Sequence, residues 1–286
     1  MKNCLYLLLG LLAVGFAACE GDDEALPAYL YLEALTINTT TDQGSTRTNV
    51  PNAQLYVGDD YIGVVNLPGR VPVLQEGTQE VRLDPLVRDN GNSATLAIYP
   101  FYERIVTTVE LAPLRVDTLR LSTTYAADRA DFVFVESFDS PGLLFNDERD
   151  GNPATAITRV ADGALEGQSG RFTLTTENPI IEVATPATTP YGFENVSAGV
   201  YLELDFKSDI PFRVGLVGRD AGLPEASQYN YQLAARENWT KVYLNLATEI
   251  VQSNFDAYQI GFFASLPENE TSASVYLDNV KLIRYR

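Results

Sequence analysis

The chain has 286 residues, with 38 acidic against 20 basic side chains, no histidine, two cysteines and a formal net charge of −18. Without histidine there is no Ser-His-Asp triad, no His-ligated metal and no imidazole general base. The negative field repels phosphate backbones, so no nucleic-acid partner is expected.

In chain order, Met1-Lys2-Asn3 supplies a short positive start and Leu5 to Phe16 an apolar run. The run has the length of a secretory h-region, about 7–15 residues, and falls short of the ~20 needed to span a bilayer. Residues 1–18 therefore read as a cleaved signal peptide. Phe16-Ala17-Ala18-Cys19 resembles the lipobox of bacterial lipoproteins, departing from it at Phe16, where Leu is more usual. The resemblance implies lipidation of Cys19, with each buried acyl methylene contributing about 0.8 kcal/mol to anchoring.

Residues 19–27 form the tether. Within it Glu20-Gly21-Asp22-Asp23-Glu24 resembles the acidic segment that directs many Bacteroidota lipoproteins across the outer membrane. A plain solvated linker is the alternative. The implied location is the outer membrane, lipid-anchored and facing the exterior. Cys4 leaves with the leader and Cys19 is consumed, so the mature chain offers no thiol for disulfides, zinc or nucleophilic attack.

Beyond the tether, apolar residues alternate over short runs punctuated by Gly, Pro, Asn and Asp, the pattern of an all-β chain. Two β-sandwich domains are predicted. The first covers 28–125, where Pro51 to Gly63 reads as a hairpin around Gly58-Asp59-Asp60, residues that tolerate the positive φ of such turns. That stretch resembles PEGA-type and related carboxypeptidase-regulatory-like domains, small sandwiches that serve as spacers. Asp117-Thr118-Leu119 resembles an O-glycosylation acceptor of Bacteroidota. Residues 126–130 read as a linker that few contacts should cross.

The second domain, 131–286, opens with Phe134 to Pro141 and closes with Val275-Tyr276-Leu277-Asp278-Asn279-Val280-Lys281-Leu282, after a strand Trp239-Thr240-Lys241-Val242-Tyr243-Leu244. This order resembles the jelly rolls of carbohydrate-binding modules and galactose-binding-like folds. The implied function is non-catalytic binding of an extracellular glycan. The alternative is a structural or adhesive spacer or subunit that contacts a surface protein partner and binds no sugar.

Sugar recognition needs aromatic platforms flanked by amides or carboxylates. Strand parity places Trp239 and Tyr243 opposite the apolar Val242 and Leu244, though a strand-start tryptophan can also close the end of a core. Tyr229 and Tyr231, with amides between, share a face by the same alternation, and an ordinary aromatic strand would look alike. By resemblance, Glu136 and Asp278 are the positions for a structural calcium, with hydrogen bonding as the competing role. No other cofactor is expected. Glu203-Leu204-Asp205 is the closest approach to a glycosidase pair, but position 208, where a third acid would stand, is Ser. The chain is therefore read as no enzyme, with Glu203 and Asp205 on a solvated strand face.

Overall fold

A computed structural model describes residues 25–187 and 199–286; the leader, Cys19 and most of the tether lie outside the described residues. The all-β expectation holds: among the described residues the one α-helix is Ala247–Ser253.

The first half contributes β1 (Ala28–Leu32), β2 (Thr36–Asn38), β3 (Asn52–Val57), β4 (Asp60–Asn66), β5 (Gly69–Val73), β6 (Gly77–Arg88), β7 (Leu96–Ile98), β8 (Ile105–Leu111), β9 (Val116–Leu119) and β10 (Ser122–Thr124). One sheet runs β4-β3-β6-β7 with β8 also on β6, a second runs β5-β1-β9, and β10 pairs with β2. The predicted hairpin is present, with Val57 paired to Asp60 and Gly58 at φ 59°. Leu30, Leu55, Leu83 and Phe101 lie in the core of this half.

The second half contributes β11 (Ala130–Glu136), β12 (Asp147–Glu148), β13 (Thr158–Val160), β14 (Ser169–Thr175), β15 (Ile180–Ala184), β16 (Val200–Ser208), β17 (Phe212–Arg219), β18 (Ala226–Leu233), β19 (Arg236–Asn245), β20 (Ala257–Ser265) and β21 (Ser272–Tyr285). Two antiparallel sheets result. The first, β13-β14-β21-β16-β19 with β11 also on β21, is here termed the junction sheet; the second, β12-β15-β20-β17-β18, the open sheet. Leu202, Leu204, Leu244 and Leu277 of the junction sheet meet Val214, Leu216, Ile260 and Phe262 of the open sheet in one core. Each such side chain contributes about 1.5–3 kcal/mol on burial, and this shared core makes the pair a sandwich.

The halves are not loosely joined. Ala126 and Ala130 are buried, and Asn90 donates its backbone N–H to the Tyr243 carbonyl at 2.9 Å. Asn245 donates its own N–H to the Asn90 side chain at 2.7 Å. Tyr201, Tyr243 and Ile283 of the second half belong to the core of the first. The small residues of 126–130, expected to mark an uncrowded linker, include ones that are small because they are packed.

Candidate functional site

The outer face of the junction sheet carries Tyr201, Glu203 and Asp205 on β16, Lys241 and Tyr243 on β19, and Lys281 on β21. All six are buried, because the first half covers that face. Tyr99 donates to Glu203 at 2.6 Å, Tyr125 donates to the same carboxylate at 2.9 Å, and Lys241 Nζ lies 3.0 Å from it. Arg47 reaches Asp205 at 3.1 Å. Burial alone would raise the Glu203 pKa, but Lys241, Lys281 and the Tyr99 hydroxyl together hold it below the usual carboxylate range. Burial and the neighbouring Lys241 depress Lys281 to about 8. The polar strand face was legible, but its solvation was not: Glu203 and Asp205 are fully enclosed.

Tyr243 is consequently corrected as a sugar platform. It is 1% exposed, packs edge-on against Tyr99 at 4.9 Å, and shares hydroxyl contacts with Thr48 and Tyr102 at 3.1 Å each. Parity put it on the right face, but another part of the chain occupies that face. Trp239, farther along the same strand, is half-buried beside Tyr276 and Lys207.

Tyr229 and Tyr231 do not share a face. Opposite β17 the register shifts, so that Gln228 faces Leu216 and Tyr231 faces Val214, leaving two residues of β18 against Gly215. Such a bulge reverses the alternation. Tyr231 packs against the sandwich core and donates its hydroxyl to the Asn245 carbonyl. Tyr229 lies on the outer face of the open sheet, stacked on Phe263 with ring centroids 5.7 Å apart and planes at 26°. Gly215 and Gly261 leave room for it; a Cβ at Gly261 would come within 3.0 Å of the ring.

The Tyr229 hydroxyl donates to Glu182 at 3.0 Å, and the same carboxylate oxygen receives Ser227 at 2.8 Å and Arg149 at 3.3 Å. Burial, followed by the Glu182 charge, pushes the Tyr229 hydroxyl pKa up. Beside the ring pair opens a cleft of about 270 Å³ lined by Pro211, Arg213, Gln232, Phe263, Ser265 and Pro267. Phe263 thus belongs to both features, and the exposed Arg213 and Gln232 present hydrogen-bonding groups next to it. Rings that bury apolar sugar faces, with fixed polar groups at their rim, can hold a saccharide without reacting with it.

Glu136 and Asp278 sit apart in role. Glu136 accepts the N–H groups of Phe138 at 2.8 Å and Leu144 at 2.6 Å, shaping the turn in which Phe138 takes φ 61°. Asp278 accepts the Ser169 hydroxyl and the Asn279 N–H, both at 2.7 Å, and burial pushes its pKa to about 7. A cation at either position would have to displace these donors. Among the described residues no group of three or more His, Cys, Asp or Glu side chains is placed to hold a metal.

No family model matches this chain, and no curated protein matches it. Among solved structures it is similar to a family 11 carbohydrate-binding module from Clostridium thermocellum in complex with a β-1,3-1,4-mixed-linked tetrasaccharide, at 13% identity and a TM-score of 0.37, covering 55% of this chain and 96% of that one. A family 29 module from Piromyces equi is similar at 13% identity and a TM-score of 0.36, covering 54% and 89%. Likenesses at this level carry no functional conclusion.

Sequence reasoning missed Phe263, Arg213 and Gln232. Phe262-Phe263 was the available signal, since adjacent rings on a strand must point to opposite faces and only one can enter the core.

Proposed function

We propose that this protein is a lipid-anchored surface protein whose second half holds an extracellular glycan on the open sheet, without catalysis. One observation carries the reading: Phe263 is at once half of a near-parallel ring pair with Tyr229 and a wall of the adjoining polar cleft. The ring pair would take the apolar face of a pyranose, and Arg213 and Gln232 its hydroxyls.

The acidic candidates for catalysis are enclosed or already occupied. Glu203 and Asp205, the acidic pair on one strand, lie under the first half with no exposed surface. On the open sheet Glu182 is spent on three donors that position Tyr229.

The anchor rests on the Phe16-Ala17-Ala18-Cys19 motif, and intact-mass measurement of the membrane-extracted protein tests it by the expected acyl mass at Cys19. In this arrangement the first half is a rigid mount. It covers the part of the junction sheet that carries Tyr201, Glu203 and Tyr243, on the opposite side of the sandwich from the open sheet. A glycan array tests the binding: the protein is expected to be retained by at least one neutral polysaccharide, and the Tyr229→Ala/Phe263→Ala variant is expected to lose that retention. Undiminished retention of the variant would reject the assignment.

A further inference from the structure

On the outer face of the junction sheet, clear of the side chains buried under the first half, four residues stand in a row across neighbouring strands. Arg171 on β14 is paired with Tyr276 on β21, Tyr276 with Lys207 on β16, and Trp239 on β19 comes next. The Arg171 guanidinium lies 5.9 Å from the Tyr276 ring centre. Lys207 Nζ lies 4.3 Å from the same ring and 5.4 Å from that of Trp239. The two rings meet edge to face at 6.4 Å. Cation and ring alternate across the whole row, which spans roughly 15 Å at about 4.8 Å per strand.

The charges make this row unusual. Acids outnumber bases 38 to 20 in this chain, yet among the described residues neither Arg171 nor Lys207 forms an ion pair. Their contacts are with rings, and for Lys207 also with the Gly163 carbonyl at 2.6 Å. A cation over an exposed ring gains only about 0.5–1 kcal/mol, and the guanidinium keeps N–H donors to spare. The rings hold both cations in place, which lowers the entropy lost when a ligand arrives.

We propose that this row is a second binding surface, for a carbohydrate polymer bearing carboxylates. The carboxylates would sit on Arg171 and Lys207, with the sugar backbone lying along Tyr276 and Trp239. Dispersed acid elsewhere on the protein is screened beyond about 8 Å at physiological ionic strength, so contact-range attraction decides binding. A duplex nucleic acid, with one charge per ~1.7 Å of axis, brings a far denser charge into the repulsive field. The row lies on the opposite sheet from Tyr229 and Phe263 and does not depend on the neutral-glycan reading.

Electrophoresis of the protein through gels containing polygalacturonate, with the methyl-esterified polymer as the uncharged control, tests this. Retardation is expected in the acidic gel and not in the esterified one. The Arg171→Gln/Lys207→Gln variant should lose about tenfold in affinity or more, while the charge-keeping Arg171→Lys/Lys207→Arg variant should retain most of it; thermal unfolding of each checks the fold. Trp239 is the only tryptophan, so its emission should change on titration with polygalacturonate, in the wild type and in Tyr229→Ala alike. Equal mobility in the two gels, or undiminished retardation of the Gln variant, would overturn the proposal. So would binding to anionic phospholipid vesicles without binding to polygalacturonate.

Discussion

The Tyr99 hydroxyl, from the first half of the chain, donates to the Glu203 carboxylate of the second at 2.6 Å, with both side chains buried. Around that bond Tyr125, Lys241 and Lys281 complete a charged cluster closed off from water. Two sandwiches joined through such a cluster should unfold together, and calorimetry is expected to show one transition for the described region. Glu203→Gln takes from the buried Lys241 its nearer carboxylate, at 3.0 Å, and leaves it only Asp205 at 3.8 Å, which should cost up to about 3–5 kcal/mol. Urea titration of that variant reads the loss directly.

Tyr243→Ala separates core from site. Removing a buried aromatic costs about 3–5 kcal/mol, so the variant should melt well below wild type. Once folded at low temperature, it should bind neutral glycan as wild type does, since Tyr243 lies under the first half and Tyr229 on the open sheet. Titration calorimetry below the melting range distinguishes the two effects.

Gly215→Ala tests the bulge. An added Cβ would overlap the Gln228 carbonyl and lie 2.6 Å from the Tyr229 Cα, both backbone atoms that cannot swing aside. Overpacking of this kind costs about 1–3 kcal/mol, and the shift of β18 should weaken glycan binding as well. Gly222→Ala is the control for the added methyl: its Cβ would meet nothing, although its φ of 81° makes some backbone strain unavoidable.

Asp278 gives a pH signature. Burial raises its carboxyl from an ordinary 3.8 to about 7, so between those values the folded state binds the extra proton. Stability from this group is full below its unfolded value and is lost as pH rises toward 7. Lys281 works in a higher window, because its depressed pKa of about 8 costs stability at neutral pH that is regained as pH rises toward 10.5. Asp278→Asn should flatten the stability profile between about pH 4 and 7, as measured by chemical denaturation at several pH values. An unchanged slope would mean that Asp278 is ionised throughout.

Much of the fold was legible because alternation is local. Leu202, Leu204 and Phe206 alternate in the sequence with Glu203 and Asp205 and point into the core, and the Gly58 hairpin follows from its turn residues. What covers a face is not local. Glu203 and Tyr243 carry the same alternation whether water or another sheet lies above them, and only the fold of residues 28–125 determines which. Tyr229 and Tyr231 failed for a different reason: one extra residue against Gly215 reverses the pattern, and nothing in Gln228-Tyr229-Asn230-Tyr231 announces it. Phe263 was readable in principle from its neighbour Phe262, and the Arg171–Tyr276–Lys207 row was not, since its members lie on three strands far apart in the chain.

The most direct test of glycan binding on the open sheet is an NMR titration of the protein, with labelled tyrosine and phenylalanine rings, against a neutral oligosaccharide retained on the array. Magnetisation transfer from sugar C–H protons to the rings of Tyr229 and Phe263 is the predicted result. Transfer confined to Tyr276, or to no ring while the sugar binds, would contradict it.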